Sequence, residues 1–347
     1  MGGLSQVGWD TRILTHVPSP LWPRGPVRSN VRATDALDPI ATTRVCGAWN
    51  IPFCRERLLA AAFLREIKKW VATGWTPDVV LSYNLPDWMR PMHAWLRRRL
   101  PNTKWVFILA DAQTHYRGCS GRRSWADDAD GIVFLSDHAL RTADVKHKFH
   151  LDGGVTPSPL RPFSRENGSR LIVGFAGASS PWSGVDRLLA AMKHLPTSIE
   201  VRIFCHGDLS WLRPLASGNK NLLLAPFPSR EELDRELQQI DVFVNPRPRT
   251  EEALFNFPSK VLDYLNWYRP VVSTWCDGFT PVYREFLTIV EDQPAPIAAG
   301  INEVAKWSSD KKAAWAERVR NWLAETHGWP TQAARLTEWL KQDILST

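Results

Sequence analysis

Ser259, Lys260 and Asp263 are the residues of this chain whose types and spacing speak most directly of chemistry. They stand in Asn256-Phe-Pro-Ser-Lys-Val-Leu-Asp-Tyr-Leu265. A turn carrying Pro258 and Ser259 opens a predicted helix, and Lys260 and Asp263 fall three residues apart on one of its faces. Ser259 suits an N-cap, and Lys260 beside the free amides of the first turn predicts a seat for a phosphate. Asp263, one turn deeper, is placed to accept hydrogen bonds from a ribose. Together they would hold a nucleotide diphosphate. The plainer reading is a capped helix with a solvated lysine, and the neighbouring elements weigh against it.

Those elements alternate. Ile240-Asp-Val-Phe-Val-Asn-Pro246 reads as a strand, Arg247 to Glu252 as a polar loop, and Arg269-Pro-Val-Val-Ser-Thr274 as a buried parallel strand after the helix. Upstream, Leu171 to Gly177, Ile199 to Phe204 and Leu222 to Pro228 are further apolar strands, with a helix from Glu231 to Gln239. The first half repeats the pattern, with strands at Asp78–Asn84, Lys104–Asp111 and Asp130–Ser136. Helices span Arg55–Thr73 and Asp87–Leu100. Ligands of such sheets collect at the carboxyl ends of the strands, so Asn84, Asp111 and Ser136 are expected to face one crevice.

The order strand, polar loop, Pro-Ser-Lys helix, strand resembles the donor half of GT-B glycosyltransferases, particularly family 4. Trp182-Ser-Gly-Val-Asp-Arg-Leu-Leu189 resembles that family's Lys-Gly-Val-Asp helix start, and Cys205-His-Gly207 its Gly-x-Gly strand end. The resemblance implies an α/β protein of two Rossmann-like domains facing across a cleft. Residues 1–157 would form the acceptor-side domain and 158–330 the nucleotide-sugar domain, joined near Thr156 to Arg170. Residues 331–347 would be a helix packing back on the first domain.

The same resemblance implies the activity and its residues. A sugar would pass from a nucleotide-diphosphate sugar to a cell-surface polysaccharide or a lipid-linked acceptor, with no cofactor and no metal. Ser259, Lys260, Asp263, Arg247, Arg249, Glu252, Ser179, Ser183 and Gly184 are the candidate donor-binding residues. Asp111 and His115 are the candidate catalytic pair, as general base or acceptor-orienting groups. Departures are present too. Ser183 stands where the family has Lys, Ala178 near where it has Arg, and Phe255 where it has the first of two Glu. A non-catalytic GT-B protein that binds a nucleotide sugar or a partner enzyme is therefore a second expectation. A nucleotide-sugar epimerase on the same architecture is a third. A Rossmann dehydrogenase is disfavoured because no Gly-x-Gly-x-x-Gly occurs.

The N-terminus is similar to the end of the family's first helix, leading into a strand at Arg12 to His16. On that alignment the first domain lacks its first strand. Either translation starts further upstream or the strand has been lost, and the unmet backbone groups of a sheet without a central strand favour the former.

Length and composition fit this organisation. A chain of 347 residues exceeds the usual limit of one core, and 44% hydrophobic with 23% charged residues supplies two ordinary cores. No apolar run approaches 18 residues, so none is read as a membrane span. Five scattered cysteines without a Cys-x-x-Cys spacing argue against a disulfide framework or zinc site. The expected location is cytoplasmic, with peripheral contact at the inner face of the membrane. Residues 1–155 hold 21 Lys and Arg against 14 Asp and Glu, which accounts for the whole net charge of +7. That basic half, with Arg97-Arg98-Arg99 and Arg122-Arg123, suits an anionic lipid surface. No nucleic-acid module is visible.

Overall fold

The computed structural model describes residues 2–17, 19, 21–28, 42–84, 86–110, 128–159 and 170–346. Asp111, His115, Cys119 and Arg122-Arg123 lie outside the described residues, as does most of the expected linker. The chain divides into two compact units. One comprises residues 1–134, 143–151 and 330–347; the other comprises 135–142 and 152–329.

The first unit begins with α1 (Gly2–Gln6), β1 (Arg12–Thr15), β2 (Thr42–Val45), α2 (Arg55–Ala72) and β3 (Val79–Tyr83). It continues with α3 (Arg90–Arg99), β4 (Lys104–Leu109), β5 (Gly131–Phe134) and β6 (Lys148–His150). Every pairing is parallel, in two sheets: β1-β2, and β3-β4-β5-β6. β5 is buried at all four positions, as a strand covered on both faces must be. Its cover includes α12 (Trp329–Trp339), which enters this unit at Pro330 and continues as a wider turn at Leu340–Ile344. Val106, Val133, Leu336, Trp339, Leu340 and Ile344 form the core there. The helix sits so close that a Cβ on Gly131 would lie 2.6 Å from Ile344 Cδ1 and 2.8 Å from the Trp339 ring.

The second unit holds α4 (Asp137–Thr142), β7 (Leu171–Ala178), α5 (Val185–Ala191), β8 (Ile199–His206), α6 (Arg213–Ala216) and β9 (Leu222–Pro226). After these come α7 (Arg230–Gln238), β10 (Val242–Asn245), α8 (Glu251–Leu254), α9 (Lys260–Asn266) and β11 (Val271–Thr274). β12 (Leu287–Val290), α10 (Pro294–Ala305) and α11 (Ser309–Trp322) complete it. The sheet order is β12-β11-β10-β7-β8-β9, all parallel. Strand order reverses between β7 and β10, the point at which α/β sheets open a ligand crevice. Local sequence explains several boundaries. Ser229 and Glu232 cap α7 reciprocally, while α9 ends at Asn266, Tyr268 follows in the left-handed region, and Arg269-Pro270 leads into β11, whose four residues are all buried.

Ser136, expected at the crevice, is 0% exposed. Its Oγ accepts from Ala139 N at 3.2 Å and donates to Leu254 O at 2.7 Å, so it caps α4 and ties it to α8. Asn84, at φ +49°, accepts from Ala110 N through its Oδ1 at 3.0 Å and links the ends of β3 and β4. Cys46, Cys54, Cys205 and Cys276 are free thiols. Among the described residues, no helix is long and apolar enough to cross a membrane.

Candidate functional site

Lys260 is the centre of the arrangement in the second unit. It is the first residue of α9 and reaches back under the end of β7. Its ammonium lies 4.4 Å from the centre of the Phe175 ring, and a Cβ on Gly177 would come within 2.8 Å of Nζ. A glycine at the carboxyl end of β7 is what makes room for the lysine. Burial, followed by the neighbouring charge of Arg247, lowers the pKa of Lys260 from 10.5 to about 8. No carboxylate among the described residues pairs with it. The Arg247 charge beside a Lys260 that no carboxylate pairs among the described residues makes this place suited to an anion.

Arg247 comes from the turn after β10, between the buried prolines Pro246 and Pro248. The turn is held from β11, where Thr274 Oγ1 donates to Arg247 O at 2.5 Å. Arg247 Nε is buried without a hydrogen-bond partner. Against the same turn lies Gly184, at φ +71°, where a Cβ would fall 1.8 Å from Pro246 O. Only glycine supplies both that backbone conformation and that approach. Helix α9 is fixed through Tyr264, whose hydroxyl accepts from Ala176 N and donates to Ala176 O, both at 2.9 Å. Its ring stacks on Phe243 of β10 at 4.5 Å.

Lys260, Arg247 and Gly184 thus come together, but several expected residues take other parts. Ser259 does not act as a side-chain cap: it lies in helical conformation with no cap hydrogen bond and its side chain is exposed. Nor are the first-turn amides free, because Ser259, Val261 and Leu262 N–H groups donate to the carbonyls of Phe257, Pro258 and Ser259. With seven residues in α9, the positive charge at this place resides in side chains rather than in a helix terminus. The Ser183 hydroxyl donates to Ser180 O at 2.7 Å and closes its own turn. Ser179 is buried between β7 and β8, its N–H donating to His206 O and its carbonyl accepting from Trp211 Nε1. Arg249 is exposed, with its guanidinium 3.8 Å from Asp277 and its amide on Asp292. Asp263 is exposed on α9, and Glu252 falls within α8. Phe255, where the resemblance puts a carboxylate, meets the His138 ring edge-on at 5.1 Å.

The parts of Gly177, Tyr264 and Thr274 are not visible in their sequence context. A glycine or threonine ending a Val-rich strand signals only a strand end. Among the described residues no three His, Cys, Asp or Glu side chains converge as a metal cage would require.

Residues 170–306, which contain all of these groups, match the family model of the group 1 glycosyl transferases. No curated protein sequence matches the chain. Similar solved structures span both units. The OtsA apo structure is 11% identical at a TM-score of 0.67, covering 98% of this chain and 94% of its own. HepE of Anabaena, solved with UDP and glucose, is 14% identical at 0.62, with 87% and 86% covered. WaaG, a glycosyltransferase of lipopolysaccharide biosynthesis, is 14% identical at 0.58, with 98% and 93% covered. The chain therefore has the GT-B fold, and its residues 170–306 are similar to the group 1 glycosyl transferases.

Proposed function

We propose that the protein transfers a sugar from a nucleotide-diphosphate sugar to a saccharide or lipid-linked acceptor of cell-surface polysaccharide synthesis. The observation that carries this reading is the half-buried pair Lys260 and Arg247 at the carboxyl ends of β7 and β10, with no carboxylate paired to the lysine among the described residues. Departure of a nucleoside diphosphate develops negative charge on its β-phosphate. Two preorganised cations in a partly desolvated crevice stabilise that charge most where it is largest, in the transition state. We assign charge neutralisation to these side chains, with no metal and no cofactor beyond the co-substrate. Asp263 is assigned to the donor ribose, and Asp111 and His115 to the acceptor. The basic first unit is assigned peripheral contact with an anionic membrane face in the cytoplasm. The solved structures of HepE with UDP and glucose and of a trehalose-6-phosphate enzyme with UDP-2-fluoro glucose support the class of donor.

The deciding experiment is calorimetric titration with nucleoside diphosphates, followed by an assay of nucleoside diphosphate release with and without candidate acceptors. Binding together with acceptor-dependent release is the expected result. Binding without any release supports the second reading, a non-catalytic nucleotide-sugar-binding protein, which the aromatic Phe255 at the carboxylate position favours. Absence of binding removes both readings. In an active protein, Asp111→Asn is expected to lower turnover by about 100-fold if Asp111 is a general base. If it orients the acceptor, the main change is a raised acceptor KM. If neither parameter moves, the assignment passes to His115.

A further inference from the structure

One edge of the second unit's sheet is left open. β12 pairs with β11 and ends the sheet, and among the described residues no strand lies on its other side. Ladder phase identifies the backbone groups that face outward. Phe243 N donates to Pro270 O, so the even residues of β11 bond towards β10. Parallel strands bond to alternate sides, which turns Val271 and Ser273 towards β12. Val271 stands opposite Leu287 and Ser273 opposite Ile289, so they bond to the residues on either side of these two. The N–H and C=O groups of Leu287 and Ile289 therefore face away from the sheet. Proteins commonly close such an edge with proline or charge. The opposite edge, β9, ends on Pro226, with Pro228 two residues on. Phe286 to Val290 contains neither a proline nor a charge.

Beside that edge is a cavity of about 520 Å³, between residues 285–288 and one face of α11. Lys311, Ala314, Trp315 and Arg318 line it, at the three- and four-residue spacing that stacks side chains on one side of a helix. Trp315 belongs to the apolar core, while Lys311 and Arg318 are exposed. Glu317 is taken up by Arg320, and among the described residues no carboxylate pairs with Lys311 or Arg318. Lys311 instead rests its ammonium 4.3 Å over the Trp307 ring. Trp307 borders the cavity as well, and its buried Nε1–H has no acceptor. Against these cations the lining holds one acid, Glu285 at the start of the edge.

An open strand edge, two unpaired cations and an unmet donor around one cavity share a complement. An extended segment laid along β12 pairs with the outward groups of Leu287 and Ile289, and its alternate side chains enter the cavity. A carboxylate at those positions meets Lys311 or Arg318 in a charge-assisted contact. We propose that β12 and α11 form a docking groove for an extended, acidic segment of a partner protein, held by strand addition. The cavity lies at the start of β12, whereas Lys260 and Arg247 stand at the carboxyl ends of the strands. The groove is therefore separate from the proposed donor site.

The test uses the full chain and two synthetic strands, acetyl-Thr-Val-Glu-Val-Glu-Val-Thr-amide and the same peptide with lysine for each glutamate. The acidic strand should bind and slow amide exchange at Leu287 and Ile289 by about 10-fold or more, with β7 and β8 unchanged. Lysine in the peptide, or the double variant Lys311→Ala with Arg318→Ala, should weaken binding by about 10-fold, as lost charge-assisted contacts do. Nucleoside diphosphate binding should be the same in that variant, whose two altered residues are exposed. The proposal is overturned if the acidic strand does not bind at about 1 mM, if both peptides bind equally, or if exchange at Leu287 and Ile289 does not change. Equal binding after N-methylation of alternate peptide nitrogens would reveal an anion site without strand pairing, which also overturns it. Protection of β12 that grows with protein concentration, with no peptide present, would make the edge an interface between copies of this chain and overturn the partner assignment.

Discussion

Lys260, which the proposed function assigns to the donor diphosphate, is also a stability defect of the folded protein. Its ammonium is sunk beside Phe175 and Gly177 next to a second cation, with no carboxylate to offset it. The empty protein therefore holds this proton more weakly than the unfolded chain does, with a pKa of about 8 against 10.5. Between those values the unfolded state binds more protons, so the ligand-free protein should gain stability as pH rises from about 8 towards 10.5. Lys260→Met should abolish that slope and raise the thermal midpoint at pH 7. The same substitution should weaken nucleoside diphosphate binding by about 1.5–3 kcal/mol, the range for a charge-assisted hydrogen bond. Binding to the unaltered protein should weaken above pH 8 and take up a proton near that pH, as calorimetry in buffers of different ionisation enthalpy would register. Unchanged affinity in Lys260→Met would return this lysine to a purely structural part.

Among the elements, two glycines fix distances that no side chain could tolerate. Gly184 lets the turn before α5 press on Pro246 at the end of β10, which holds Arg247 in place. The left-handed backbone alone costs about 1–3 kcal/mol for a residue with a Cβ, and the clash with Pro246 O adds to it. Gly184→Ala should lower the denaturation midpoint and weaken diphosphate binding together, since Arg247 must move. Gly131 allows α12 to lie directly on β5. Gly131→Val should displace Trp339 and Ile344, seen as faster hydrogen exchange at residues 333–344 with the second unit's sheet unaffected. Unaltered protection there would mean that α12 is not anchored at this point.

At the scale of the whole chain, two of its four crossings between the units border residues that are tied to one another within the second unit. The chain leaves the first unit at Phe134 and again at Leu151, and the second at Thr142 and Trp329. Asp152 and His327, next to the crossings at Leu151 and Trp329, lie 3.2 Å apart and are nearly fully buried. The Tyr283 hydroxyl donates to Asp152 at 2.7 Å. Val155 N donates to His327 O, and Trp329 N to Val155 O, so the two segments also pair through their backbones. Burial and the Asp152 carboxylate hold the Tyr283 hydroxyl well above its ordinary pKa, so it remains a donor. Tyr283→Phe should leave Asp152 short of a donor and destabilise the second unit by about 1–3 kcal/mol in urea unfolding. A midpoint equal to that of the unaltered protein would show that the other partners of Asp152, His327 among them, satisfy the carboxylate.

What the sequence determined by itself is what local physics encodes. Alternating apolar runs and capped helices marked most strands and helices close to their observed bounds, because burial on both faces and capping are written in neighbouring residues. Val271 to Thr274 and the Ser229–Glu232 cap are examples. The place of Lys260 at the start of a helix after β10 was legible in the sequence. The rest needed the tertiary structure. Ser259 has the right residue type for a cap, yet its amide and those after it bond within a tight turn, so composition misstates its part. Ser136 ends a strand as a crevice residue would, but α4 and α8 fold over it. Arg247 acquires its meaning only when β10, β11 and α9 bring its guanidinium near Lys260 across 13 positions of sequence. Charges act through space, and the low-dielectric surroundings that lower the lysine's pKa are assembled from Phe175, Gly177 and the Thr274-held turn, which are distant in the chain.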